Sequence, residues 1–249
     1  MSRILSFAPD ARPAVSVRHR TSVGTTASAA RSITQPADPG CLGRDPYSWG
    51  FDPIVDVARE RMYAQEALVP PPADPGDGWA LDLIQAARCL EVAARLTIDL
   101  PRAGVHDVAR TMDAILEAAQ LVGLPVGQII FEIPNEEWVP GQAVIRHVLA
   151  DYRGTGFAVA LDHFGASYAG LGALAEFHPD MIKIDSFLIE GIHDSRSKQA
   201  AVKGILSVAR DLHIDVVAMG VEEVDEASWL QAQGVRLMQG PYVAALCPI

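Results

Sequence analysis

The chain is poor in cysteine, aromatic residues and basic charge, and each shortage excludes something. Its 249 residues carry three cysteines, Cys41, Cys89 and Cys247. Their odd number and lack of metal-ligand spacing exclude a disulfide framework and a zinc-ribbon type of site, and they fit a reducing compartment such as the cytoplasm. Aromatic residues make up 6% of the chain. Lysine and arginine total 20 against 31 aspartates and glutamates, a formal net charge of -11. That balance argues against nucleic acid or an anionic membrane surface as partner, and leaves room for a cluster of carboxylates that binds a cation. No apolar run approaches the roughly 20 residues needed to span a bilayer.

What remains is an apolar-rich chain, 49% hydrophobic, long enough for one large α/β barrel. Residues 1–45 differ from the rest. They are rich in Ser, Thr, Ala, Pro and Arg, and lack the apolar segment of a secretory signal. They read as a disordered basic tail, with the folded domain spanning 46–249. From Gly50 onward strands and helices alternate. Strands are expected at 50–55, 62–68, 96–100, 128–133, 158–161, 181–184, 216–218 and 236–238. Helices are expected at 79–95, 105–122, 141–152, near 170–176, at 198–212 and at 225–233. The clearest is 105–122, where Val105, Val108, Ala109, Met112, Ile115, Leu116 and Ala119 follow the helical period and Gly123 and Pro125 end it. The link between the first two strands is too short for a crossover helix, so they pair antiparallel. The pattern is a single (β/α)₈ barrel with one antiparallel strand near its start.

The C-terminal strand ends of such a barrel converge on one mouth. Glu66, Asp99, Glu132, Asp162 with His163, Lys183 with Asp185, Glu222 and Gln239 lie at or just beyond successive strand ends. Four converging carboxylates, Glu66, Asp99, Glu132 and Asp162, repel one another unless cations neutralise them. Oxygen ligands suit Mg²⁺, Mn²⁺ or Ca²⁺.

In order, Phe51-Asp52-Pro53-Ile54-Val55-Asp56, Glu66-Ala67-Leu68, Phe131-Glu132-Ile133, Leu161-Asp162-His163-Phe164-Gly165, Ile182-Lys183-Ile184-Asp185, Met219-Gly220-Val221-Glu222 and Met238-Gln239-Gly240 resemble the motifs of the EAL-domain family of cyclic di-GMP phosphodiesterases. The resemblance runs from Trp49 to Pro248. It implies metal ligands at Glu66, Asp99, Glu132 and Asp162, with His163 at the position of a further ligand. It implies catalytic roles for Lys183 and, in vestigial form, Glu222, and ligand contacts for Leu68, Asp185 and Gln239. Active members of the family use two Mg²⁺ or Mn²⁺ ions to hydrolyse one phosphodiester bond.

The departures point the other way. The family's third-strand Asn is Asp99, its second Asp of an Asp-Asp pair is His163, and a Glu of its seventh strand end is Met219. Asn135 replaces a Glu that steadies the Asp-Asp loop. The Arg that follows the signature tripeptide and contacts phosphate is missing, with Pro70 and Pro71 there instead. The expectation is a degenerate EAL domain, catalytically inactive, working through a protein partner or through homodimerisation. A compensated Mg²⁺- or Mn²⁺-dependent phosphodiesterase and a non-hydrolysing cyclic di-GMP receptor remain the alternatives.

Overall fold

A computed structural model describes residues 50–68, 77–89, 95–100, 105–134, 150, 153–166, 174 and 177–246. The expected tail 1–45, the helices 141–152 and 170–176 (residues 150 and 174 apart), Pro70, Pro71 and Asn135 lie outside the described residues.

Eight strands close a barrel in sequence order: β1 (Phe51–Asp56), β2 (Arg61–Ala67), β3 (Leu96–Asp99), β4 (Ile129–Pro134), β5 (Ala158–Phe164), β6 (Met181–Ile184), β7 (Asp215–Ala218) and β8 (Leu237–Gln239). β1 runs antiparallel to both β2 and β8, and every other neighbouring pair is parallel. The expected antiparallel pair is therefore one reversed strand with two antiparallel neighbours. The reversal follows from the tight turn after Asp56. Its carboxylate accepts from the backbone N–H and the guanidinium of Arg59 at 3.2 and 3.0 Å, and Glu60 takes φ +50°.

Six helices are described: α1 (Asp77–Cys89), α2 (Val105–Val122), α3 (Ser186–Ile189), α4 (Arg196–Asp211), α5 (Val224–Ala232) and α6 (Pro241–Ala244). α2 has the boundaries its periodicity gives. Val108, Met112, Ile115 and Ala119 are buried with Leu83 and Ile84 of α1 against the outward-facing Ile98, Ile129, Phe131 and Ile133. Phe131 meets Phe157 edge-on, centroids 5.0 Å apart. α3 and α6, of four residues each, carry no periodic signal and were not expected.

Side chains alternate across each strand, so the barrel interior fills in layers. Ile54, Ala64, Ile130, Ala160, Met181, Val217 and Leu237 form one buried apolar cluster. Two residues nearer the mouth on each of these strands stand Asp52, Glu66, Glu132, Asp162, Lys183, Met219 and Gln239, and β3 adds Asp99. An apolar floor thus lies beneath a polar layer that has one apolar member, Met219. That residue is half-buried and outside the hydrophobic clusters.

Candidate active site

The structure gathers most of the expected residues around one buried ammonium. Lys183 is fully buried, with Nζ 2.6 Å from Glu132 Oε2, 2.8 Å from Glu66 Oε2 and 3.6 Å from Asp162 Oδ1. Burial alone opposes the charge, but Glu132, Glu66 and Asp162 outweigh it and hold the ammonium protonated far above its ordinary range. Gln239 donates from Nε2 to Asp52 Oδ2 at 2.8 Å and to Glu66 Oε2 at 2.5 Å. Gly240 fixes that glutamine. Its φ is +136°, and a Cβ there would lie 2.5 Å from the backbone nitrogen of Val221, so only glycine fits.

The carboxylates are not equivalent. Burial raises Glu66, but Lys183 and Gln239 bring it below the usual range. Burial drives Glu132 well above it, against the pull of Lys183. Asp99 is pushed up to about 6, first by burial and then by the charges of Glu66 and Asp162. Asp52 rises through burial, a shift that the hydrogen bond from Gln239 opposes.

Because the folded Asp99 holds its proton to higher pH than the unfolded one, its cost to stability appears as pH rises above about 4 and is complete above about 6. Discounted for its partial exposure, that cost is about 1–2 kcal/mol. In metal-free buffer, Asp99→Asn is therefore expected to raise unfolding free energy by about that amount at pH 7.5, and by little at pH 4. Urea denaturation at both pH values checks this; equal effects at the two would refute it.

Oxygens of Glu66, Asp99 and Glu132 lie within 4.8 Å of one another. Glu132 Oε1, Asp162 Oδ1 and Gln239 Oε1 are buried and accept no hydrogen bond. Orphaned hard acceptors beside three carboxylates fit a divalent cation such as Mg²⁺ or Mn²⁺.

His163 stands apart from that cluster. It takes φ +50°, its side chain is 46% exposed, and its ring lies between two aspartates: Nδ1 is 2.8 Å from Asp185 Oδ2 and Nε2 is 3.2 Å from Asp162 Oδ2. Asp185 also caps α3, accepting from Phe187 N–H at 2.8 Å, so its carboxylate faces the loop. Leu68 is 47% exposed, just beyond β2, its N–H bonded to Gly50 O. Glu222 is exposed and not brought to the cluster; its backbone N–H is bound by Glu226 at 2.9 Å. Glu226 is the buried acid of this region and also accepts from Gly191 N–H at 2.7 Å. Neither Asp52 nor Glu226 was expected. For Glu226 the spacing Glu223-x-x-Glu226 ahead of a helix was a readable capping signal.

Residues 77–245 match the EAL domain family, a span that begins after Glu66-Ala67-Leu68. Among curated proteins, the chain is 31% identical over 214 residues to the blue light- and temperature-regulated antirepressor BluF of Escherichia coli, covering 79% of this chain and 53% of that protein. It is 37% identical over 127 residues to the cyclic di-GMP phosphodiesterase PdeR of the same organism, covering 51% and 19%. The chain thus spans about half or less of these two relatives. Among solved structures, a standalone EAL protein of Vibrio cholerae in a c-di-GMP-bound form superposes with TM-score 0.68 at 32% identity, covering 77% of this chain and 88% of that one. A manganese/cyclic di-GMP complex of BlrP1 from Klebsiella pneumoniae gives TM-score 0.68 at 33% identity, covering 82% and 56%. By its barrel, its mouth and these matches, the chain belongs to the EAL-domain family.

Proposed function

We propose that this is a regulatory EAL-domain protein of cyclic di-GMP signalling that hydrolyses the dinucleotide poorly or not at all and acts by binding a protein partner. The observation that carries this is the seat of His163. Where the family's motif has an anionic ligand, this chain has an imidazole with both nitrogens turned to aspartate oxygens. Met219 adds to it, since a thioether neither binds Mg²⁺ nor accepts a proton. The relative named as an antirepressor supports a regulatory role.

In this reading the barrel domain spans 46–249 behind a basic tail, and two copies associate as a homodimer. No helix among the described residues is long and apolar enough to cross a membrane, which accords with a cytoplasmic protein. Glu66, Asp99, Glu132 and Asp162 would hold Mg²⁺ or Mn²⁺. Lys183 orders their oxygens, while Leu68, Asp185 and Gln239 border the ligand. A cation held there would polarise a phosphoryl oxygen and acidify a bound water. Glu222, exposed, takes no part.

Losing a metal ligand and an acid–base group costs about a hundredfold each. The missing Arg removes roughly 1.5–3 kcal/mol of phosphate binding. Linear product from cyclic di-GMP in Mn²⁺ or Mg²⁺ is thus expected at least about 10⁴-fold more slowly than from an intact EAL enzyme. The second reading, a compensated phosphodiesterase, is favoured by the orphaned oxygens of Glu132 and Asp162. Turnover at ordinary enzymatic speed, abolished by Glu66→Ala, would establish it and overturn the proposal. Calorimetry showing tight dinucleotide binding without product would instead make the protein a receptor.

A further inference from the structure

We infer that the barrel mouth holds a single divalent cation, and that the imidazole of His163 closes the half of the mouth where a second cation would need its ligands. The inference rests on the reading of the mouth as a cation site. Two adjacent cations are held by a carboxylate that gives one oxygen to each, so both of its oxygens must be available. Asp162 is the carboxylate between the two halves. Its Oδ1 is buried, accepts no hydrogen bond and faces Lys183 at 3.6 Å, beside Glu66 and Glu132. Its Oδ2 is engaged by His163 Nε2 at 3.2 Å.

Asp185 offers no substitute. Oδ2 meets His163 Nδ1 at 2.8 Å and Oδ1 accepts from Phe187 N–H at 2.8 Å. Of the four oxygens on these two aspartates, two are hydrogen-bonded within the protein, and a third, Asp162 Oδ2, is faced by His163 Nε2 at 3.2 Å. The fourth points into the inner cluster, where Glu132 Oε1 is also orphaned. His163 has neither ring nitrogen directed away from a carboxylate. Among the described residues, the Asp162 and Asp185 oxygens of the outer half face His163 or the start of α3, and the buried mouth oxygens without a hydrogen bond, on Glu132, Asp162 and Gln239, lie in the inner half.

The backbone holds this arrangement. Asp185 N–H donates to Phe164 O at 3.1 Å, tying the end of β5 to α3. Gly165 follows at φ +95°, and a Cβ there would lie 2.5 Å from Leu188 Cδ1, so the loop lies flat on α3. His163 cannot swing inward without breaking contacts to both aspartates.

The test is the number of ions bound, read on the full chain without nucleotide. Protein stripped with chelator and titrated with Mn²⁺ alone is expected to bind one ion, seen by calorimetry and as an isolated-ion signal in electron paramagnetic resonance. Glu132→Gln is expected to abolish that binding, which locates the ion in the mouth. His163→Asp is expected to raise the count to two, with the weakened signal of a spin-coupled pair. His163→Ala frees the same aspartate oxygens without adding an acid and is expected to admit the second ion more weakly, which covers failure of the first variant to fold. Two ions on the parent chain, none, or one that survives Glu132→Gln would overturn the inference. So would a count fixed at one in both His163 variants. Two ions without dinucleotide turnover would sink this inference alone; one ion with rapid turnover would sink the proposed function alone.

Discussion

Lys183→Met is expected to cost the metal-free domain about 3–5 kcal/mol, because it leaves buried carboxylate charge without its partner. The ammonium is fully buried and lies within 2.8 Å of both Glu66 and Glu132. Glu132 is equally buried, and burial already drives its carboxyl up against the opposing pull of Lys183. Without the lysine that opposition vanishes, and Glu132 folds only by taking up a proton. The sign follows. A carboxyl whose folded pKa is raised binds more protons folded than unfolded, so the penalty grows with pH. The variant should therefore lose least near pH 5 and most near pH 8. Urea unfolding at the two pH values measures it, and unchanged stability at pH 8 would show that the ion pairs do not hold the mouth together. Adding Glu132→Gln to Lys183→Met should recover part of the loss, since it removes the most deeply buried of the carboxylates that the lysine neutralises. Mn²⁺ should also restore part of it, by placing positive charge near the same oxygens.

The strands and the acids of the mouth were legible because two periodicities coincide. Apolar runs mark buried parallel strands, and the residue after each run is where a barrel displays its chemistry. Met181 to Ile184 shows this, with Lys183 inside an otherwise apolar strand. Less legible was whatever depends on contacts between distant segments. β5 was expected to end at Leu161, yet it continues through Asp162 and His163 to Phe164, with an irregular register against β6. Polar residues there look like a loop, and only the pairing of Asp162 with Pro134 of β4 and of Phe164 with Ile184 of β6 makes them strand. Asp52 was read as part of the opening strand. Its place in the mouth comes from the reversal of β1, which puts Asp52 opposite Glu66 and beside Gln239. Glu222 failed in the opposite way. It lies at a strand end in sequence, but the turn into α5 carries it outward and buries Glu226.

His163→Asp combined with Met219→Glu is expected to raise cyclic di-GMP hydrolysis in Mn²⁺ by roughly 10²–10⁴-fold over the parent chain. Each change repairs a different defect. Aspartate at 163 withdraws the imidazole from Asp162 Oδ2 and Asp185 Oδ2 and supplies a carboxylate of its own. Aspartate also tolerates the φ of +50° at that position better than most residues. Glutamate at 219 puts an acid where alternation along β7 places the one apolar member of the polar layer. Met219 is half-buried, so the new carboxylate need not be fully desolvated. Its backbone stays anchored by the bond from Met219 N–H to Ile184 O at 3.1 Å. Each single variant should gain far less than the pair, because groups that act on one transition state are not additive. Glu66→Ala in the double variant should erase the gain, which excludes a contaminating activity. A double variant that folds, binds Mn²⁺ and still turns over at the parent rate would mean that these two positions are not what limits the chemistry. The barrier would then lie in the phosphate contact missing after Leu68, a defect of substrate grip rather than of the metal and proton machinery in the barrel.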